Sequence, residues 1–226
     1  METWQKILQA SITRPAQITP RFGVDPTPLI AVAAQYPMRI TPYYLSLIRE
    51  VNDPIWRQAV PDAAELRDSV CFIDPLDEEN QSPVPNLVHR YPDRALFMVC
   101  AECAMYCRFC TRKRKVGSEN MVINGDTIAR GIDYIRAHSE IRDVILSGGD
   151  PLLLADEKLD GILSALRAIP HVEIIRIGSR IPVVLPQRVT PGLIRVLRKH
   201  HPLYLNTHFN HPDEITTTAA KACTRL

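Results

Sequence analysis

From residue 95 onward, short and nearly continuous apolar runs alternate with longer segments whose apolar residues recur at helical spacing. The runs are ALFMVC (95–100), DVILSG (143–148), EIIRIGS (173–179) and LYLNTHF (203–209), and each predicts a strand. Their starts lie 48, 30 and 30 residues apart, the spacing of repeated βα units. Strands apolar on both faces belong to a parallel sheet covered by helices. Between them, Leu159, Ile162, Leu163, Leu166 and Ile169 define one helical face. Thr190 followed by Pro191 predicts the cap and first turn of a helix carrying Ile194 and Leu197. Before residue 90 the rhythm differs. Segments 2–11 and 43–51 have helical spacing, as in Tyr44, Leu47, Ile48 and Val51 after Pro42, whereas DPLDEENQSPVPN is too polar and too rich in proline for a regular element. The expected organisation is an N-terminal helical and irregular extension over 1–90, followed by four βα units over 91–226. Four units do not close a barrel, so the last strand is expected to present an open edge. Ala219, Ala222, Cys223 and Leu226 share a helical face on which the chain stops without a glycine cap, which reads as a C-terminally truncated protein.

Composition narrows the possibilities. With 226 residues, 46% hydrophobic and 23% charged, the chain has the make-up of a folded globular protein and not of a disordered one. A formal charge of only +2 gives no general grip on nucleic acid or anionic lipid. No apolar run approaches the roughly 18 residues that cross a bilayer, and METWQKILQA lacks the apolar stretch of a secretory signal, so the expected location is the cytoplasm. Of six cysteines, four (Cys100, Cys103, Cys107, Cys110) crowd into eleven residues, which in a reducing compartment points to metal. Cys71 and Cys223 stand alone in apolar surroundings and read as small core residues.

The crowded cysteines follow the first predicted parallel strand, and loops at the carboxyl ends of such strands build the active sites of α/β proteins. Cys103, Cys107 and Cys110, spaced C-x3-C-x2-C, allow three thiolates of one loop to converge on a single centre. An iron–sulfur cluster held in this way keeps one iron without a protein ligand, open to a cofactor. The competing reading adds Cys100 as a fourth thiolate of a structural zinc site. Elsewhere, the paired glycines of SGGD suit either a tight turn or a close approach to a ligand. The basic run from Arg112 to Lys115 suits a solvated face or a nucleic-acid patch, and His208 with His211 lacks a third partner for a metal.

The cysteine spacing resembles the signature of radical S-adenosylmethionine enzymes. The longer blocks HRYPDR (89–94), CAMYCRFCTRKR (103–114), SGGDPL (147–152), GSRIPVVLPQRVTP (178–191) and THFNHPDE (207–214), with DPLDEENQSPVP (74–85), resemble successive blocks of the lysine 2,3-aminomutase family. That resemblance implies a partial parallel (β/α) barrel of the radical SAM type, a 4Fe-4S cluster on Cys103, Cys107 and Cys110, S-adenosylmethionine and pyridoxal phosphate. The implied activity moves the α-amino group of a free amino acid, L-lysine foremost, to the β-carbon. It also implies that Ser147, Gly148, Gly149 and Asp150 contact the amino group of S-adenosylmethionine and that Ser179 and Arg180 make its later contacts. Arg112 then takes the substrate carboxylate, Arg90 and Arg94 lie on the pyridoxal-phosphate side, and His208 lies in the cofactor region, with His211 a loop residue. An electron-donor protein and a homo-oligomer of the full-length protein are the expected partners, with no nucleic acid and no membrane. Phe109 stands where lysine-specific members most often have histidine.

The lysine that holds pyridoxal phosphate in the family lies in a glycine-rich segment beyond the fourth βα unit, as do the acidic residues that recognise a substrate ammonium. No catalytic lysine is therefore assigned, and residues 1–226 alone are expected to show no turnover. Two other readings stay open at this point: an enzyme acting on a lysine of elongation factor P, and a non-catalytic metal-binding fragment.

Overall fold

The computed structural model describes residues 2–226. Its five strands, β1 (Leu87–Tyr91), β2 (Arg94–Cys100), β3 (Asp143–Gly148), β4 (Ile174–Gly178) and β5 (Leu203–Asn206), form one sheet in the order β1-β2-β3-β4-β5. The last four are mutually parallel, as the spacing predicts, and β1 pairs antiparallel with β2. β1 lies where only an irregular extension is expected. Its sequence LVHRY is apolar only at its first two positions, and its place is fixed by the turn at 92–93 that folds it back, with Leu87 opposite Phe97 and Tyr91 opposite Arg94. The result is an open α/β sheet, mostly parallel.

Alternation along the strands separates two faces. Ala95, Phe97, Val99, Val144, Leu146, Ile175 and Ile177 are buried in the main apolar core. The opposite, alternate positions include Arg94, Leu96, Met98, Asp143, Ile145, Ser147 and Arg176, and this face carries the polar chemistry. Helices Gly125–Ala137, Asp156–Arg167 and Pro191–Lys199 occupy the crossovers. Each has a stated origin: Asn124 accepts from the Thr127 amide at 3.0 Å, Asp156 and Glu157 place negative charge in a first turn, and Thr190 caps Leu193 at 3.1 Å. Leu159, Ile162, Leu163 and Leu166 are buried as the helical face predicts, with Ile169 buried just past the helix end.

The N-terminal segment is helical at Thr3–Gln9 and Pro42–Leu47, and its Trp4, Ile18, Tyr44 and Trp56 enter the same apolar core as the sheet. The last helix, Thr217–Arg225, buries Ala219 and Ala222 and packs on the segment 181–188, so that part of its apolar face is covered from within the chain. Cys223 is half-buried, but Cys71 is exposed, contrary to the core position expected of it. Its apolar neighbours Val70, Phe72 and Ile73 are exposed with it, so local composition there does not report burial. No helix among the described residues is long and apolar enough to cross a membrane.

Candidate active site at the carboxyl ends of the strands

The loop from residue 101 to 118 is pinned on both sides. Gly117 donates to the Ala101 carbonyl at 2.8 Å, closing the loop on itself. From the N-terminal segment, Arg39 grips Glu102 at 2.7 Å and the Cys103 carbonyl at 2.9 Å, and Glu65 takes the Arg108 fork at 3.0 and 2.8 Å. Within this frame Cys103, Cys107 and Cys110 line one small cavity. Burial pushes all three thiols up, and for Cys103 and Cys107 repulsion from neighbouring cysteines adds to the shift. Three thiolates are therefore stable here only with a strongly cationic partner.

Among the described residues, no three such side chains stand close enough to share a single metal ion. Cys100 does not extend the set. Its thiol donates to the Glu102 carbonyl at 3.3 Å, and it lies outside the cavity that the other three line. The chemistry of the donor set, three thiols lining one cavity and a fourth committed to a backbone carbonyl, fits an iron–sulfur cluster on Cys103, Cys107 and Cys110.

The loop after β3 is packed against the cysteine loop. Gly148 has φ +108°, a conformation L side chains avoid, and a Cβ on Gly149 would lie 2.3 Å from the Glu102 carbonyl oxygen. Asp150 is buried and spends its carboxylate inside the protein: it accepts from Ser179 Oγ at 2.7 Å, the Arg180 amide at 2.8 Å and the Leu152 amide at 3.1 Å. It thus ties the loops after β3 and β4 together. Ser147 Oγ accepts from Arg112 at 3.4 Å.

Burial lifts the Asp150 carboxyl to about 6 from its ordinary 3.8, against the pull of its hydrogen bonds. A raised carboxyl favours the neutral form in the folded state, so its contribution to stability is complete below about pH 4 and lost as pH rises through about 6. The shift corresponds to roughly 3 kcal/mol once the group is fully ionised. Measured by urea unfolding, wild type is expected to lose stability relative to the permanently neutral Asp150→Asn variant between about pH 4 and 6. A difference that does not change with pH would show that folding leaves the Asp150 carboxyl unshifted.

Arg112 is held by Glu78. Its Nε lies 3.0 and 2.9 Å from the two carboxylate oxygens and its Nη2 is 2.5 Å from Oε1. The rest of the basic run is paired as well, Lys113 with Glu65, Arg114 with Asp74 and Lys115 with Glu79, so it is not a free cationic stripe. Arg90, Arg94 and Arg112 line a common cavity of about 260 Å³ together with Tyr91 and Glu78. Arg94 donates to buried Asp143 at 2.9 Å, and Arg176 of β4 donates to the same carboxylate at 3.0 and 2.8 Å. Two guanidiniums on one carboxylate leave a net positive floor to this face.

His208 is exposed, with Nδ1 2.9 Å from Asn210 Oδ1 and its ring 6.1 Å from that of Phe109. Phe109 in turn lies under the Arg180 guanidinium at 5.5 Å, which brings the loop after β5 beside the cysteine loop. His211 caps the turn of Pro212–Glu214 through the Asp213 amide, as a loop residue would. Sequence reading did not single out Glu78, Asp143, Arg176 or Glu214. Asp143 at the head of an apolar strand was a visible signal, since an acid there must find a cationic partner. Glu78 and Glu214 were inside matched blocks without a distinguishing pattern.

Comparison with known proteins agrees with this geometry. The profile of the Radical SAM superfamily matches residues 98–225. The chain is 55% identical over 192 residues to L-lysine 2,3-aminomutase of Clostridium subterminale, covering 84% of this chain and 46% of that protein. It is 56% identical over 192 residues to the L-lysine 2,3-aminomutase of Fusobacterium nucleatum, covering 84% and 45%, and 46% identical over 197 residues to the glutamate 2,3-aminomutase of Clostridioides difficile, covering 86% and 47%. The chain spans about half the length of these curated relatives. With three cysteines gathered after the first parallel strand and a profile match that runs from that strand to the last helix, the chain belongs to the Radical SAM superfamily.

Proposed function

We propose that the protein containing this chain is a pyridoxal-phosphate-dependent 2,3-aminomutase that moves the α-amino group of a free amino acid, L-lysine foremost, to the β-carbon. The observation that carries this reading is the shared cavity of Arg90, Arg94 and Arg112 on the polar face of the sheet. The printed activities of the relatives point the same way.

In this reading Cys103, Cys107 and Cys110 hold the 4Fe-4S cluster. Ser147, Gly148, Gly149, Asp150, Ser179 and Arg180 shape the S-adenosylmethionine side, where Gly149 permits close approach and Asp150 fixes the two loops. Arg90 and Arg94 offer forked cations to a phosphate dianion, and Asp143 keeps Arg94 in place. Arg112 orients the substrate carboxylate, and His208 closes the cofactor region beside Phe109. When bound, the cluster and S-adenosylmethionine supply a carbon radical for hydrogen abstraction, and pyridoxal phosphate supplies the carrier for the migrating nitrogen. The chain's own contribution is to orient these groups and shield them from water. An electron-donor protein, a homo-oligomer and a cytoplasmic setting belong to the same proposal.

The test uses the full-length protein, loaded anaerobically with iron, sulfide, S-adenosylmethionine, pyridoxal phosphate and a reductant. L-lysine, L-glutamate and L-arginine are offered separately and products followed by mass spectrometry. β-Lysine from lysine is the expected result. A β-amino acid from glutamate alone would move the substrate, and cleavage of S-adenosylmethionine with no β-amino acid from any of the three would overturn the aminomutase reading.

A further inference from the structure

Behind the cysteine loop, Arg180 is the centre of a buried polar cluster whose other members the proposed reaction leaves without a role. Glu214, fully buried, accepts from the Tyr44 hydroxyl at 2.6 Å, from Arg180 Nη2 at 2.7 Å and from the amides of Asn210 and His211 at 2.6 and 3.2 Å. Arg180 Nη2 also donates to Gln58 Oε1 at 3.0 Å, and that oxygen takes the Asn210 side-chain amide at 2.9 Å. The other arm of the same guanidinium, Nη1, donates to Cys107 Sγ at 3.0 Å. Side chains from three other parts of the chain, at 44, 58 and 214, therefore hold the Arg180 cation against one cysteine sulfur.

Taking an arginine and a glutamate out of water is costly, and a pair of this kind is weak evidence for stability. Its arrangement is better explained by what the guanidinium touches. One-electron reduction adds a negative charge to an iron–sulfur cluster, and a cation hydrogen-bonded to a ligating sulfur favours the more negative state. We propose that Arg180 sets the reduction potential of the cluster through its hydrogen bond to the Cys107 sulfur, with Glu214 as the positioning residue that aims it. This rests on the reading of Cys103, Cys107 and Cys110 as cluster ligands, and it is separate from any contact of Arg180 with S-adenosylmethionine.

The test is a reductive titration with dithionite of the reconstituted full-length protein, in the absence of S-adenosylmethionine, followed by EPR of the reduced cluster. Arg180→Met is expected to make the cluster harder to reduce, lowering the reduction equilibrium constant on the order of tenfold, about 59 mV for one electron. Glu214→Gln keeps an acceptor for the guanidinium while removing a buried negative charge, so its potential is expected to move the opposite way. Iron and sulfide content are measured alongside. Failure of wild type to form a cluster would overturn the cluster reading itself. A cluster of normal content and unchanged potential in Arg180→Met would overturn only the role of Arg180. Should Arg180→Met take up no iron, Arg180→Lys, which keeps the charge and loses the fork, decides by the same criterion: a more negative potential supports the proposal and an unchanged one ends it.

Discussion

Anaerobic incubation of the protein with iron and sulfide is expected to give a brown protein carrying one four-iron four-sulfur cluster, and Cys107→Ser is expected to lose it entirely. Three thiolates of one clamped loop supply the whole protein ligand set, so removal of one leaves two anchors for a four-iron group. Cys107 is also the ligand whose sulfur accepts from Arg180, which ties its position to the loops after β4 and β5. A serine hydroxyl would keep that hydrogen bond but replaces a soft thiolate with a hard, protonated oxygen. The informative control is Cys100→Ala. Because the Cys100 thiol donates to a backbone carbonyl and lies outside the cavity lined by the other three, this variant should keep its iron content and the EPR signal of the reduced cluster. Equal loss of iron in Cys100→Ala and Cys107→Ser, or stoichiometric zinc without iron uptake, would restore the four-cysteine structural site.

The same contrast shows what the sequence could disclose. The parallel strands were legible because burial on both faces writes itself as a continuous apolar run, and β3 matches its predicted bounds at Asp143–Gly148. β1 was not, since only Leu87 and Val88 of LVHRY are buried and the strand exists through its pairing with β2. Cys71 misled for the opposite reason: its apolar neighbours lie on the surface. The gathering of Cys103, Cys107 and Cys110 around one cavity was legible because their spacing is local. Their supports were not, because Arg112 finds Glu78, and Arg180 finds Glu214, across 34 residues, and Arg94 reaches Asp143 across 49. Such pairs are set by the fold and leave no periodic trace. Arg180 could be placed near a cofactor from its block, but that it rests on Cys107 followed only from the structure.

Arg112→Lys is expected to lower kcat/KM of the full-length enzyme for its amino acid by on the order of tenfold or more, about 1.4 kcal/mol of transition-state stabilisation, with little change in melting temperature. The reasoning turns on how the guanidinium is divided. Glu78 occupies the Nε and Nη2 edge side-on, while Nη1 makes only a 3.4 Å contact with Ser147. Arginine can therefore satisfy a buried carboxylate and still present a donor arm, held at a fixed angle, to a substrate carboxylate. Lysine carries the same charge on a single ammonium and must share it between the two anions. Because Glu78 is buried, lysine's first obligation is to that partner, so folding is retained and the loss falls on the substrate. Arg112→Met separates the two duties differently. It leaves buried Glu78 with only the distant Arg114, 3.9 Å away, which costs up to about 3–5 kcal/mol of stability, and unfolding should be visible before kinetics can be read. Glu78→Gln keeps an acceptor for the guanidinium, so kcat/KM should fall less than in Arg112→Lys. Unchanged kcat/KM in a stable, cluster-loaded Arg112→Lys protein would remove Arg112 from the substrate site and leave it as the structural partner of Glu78.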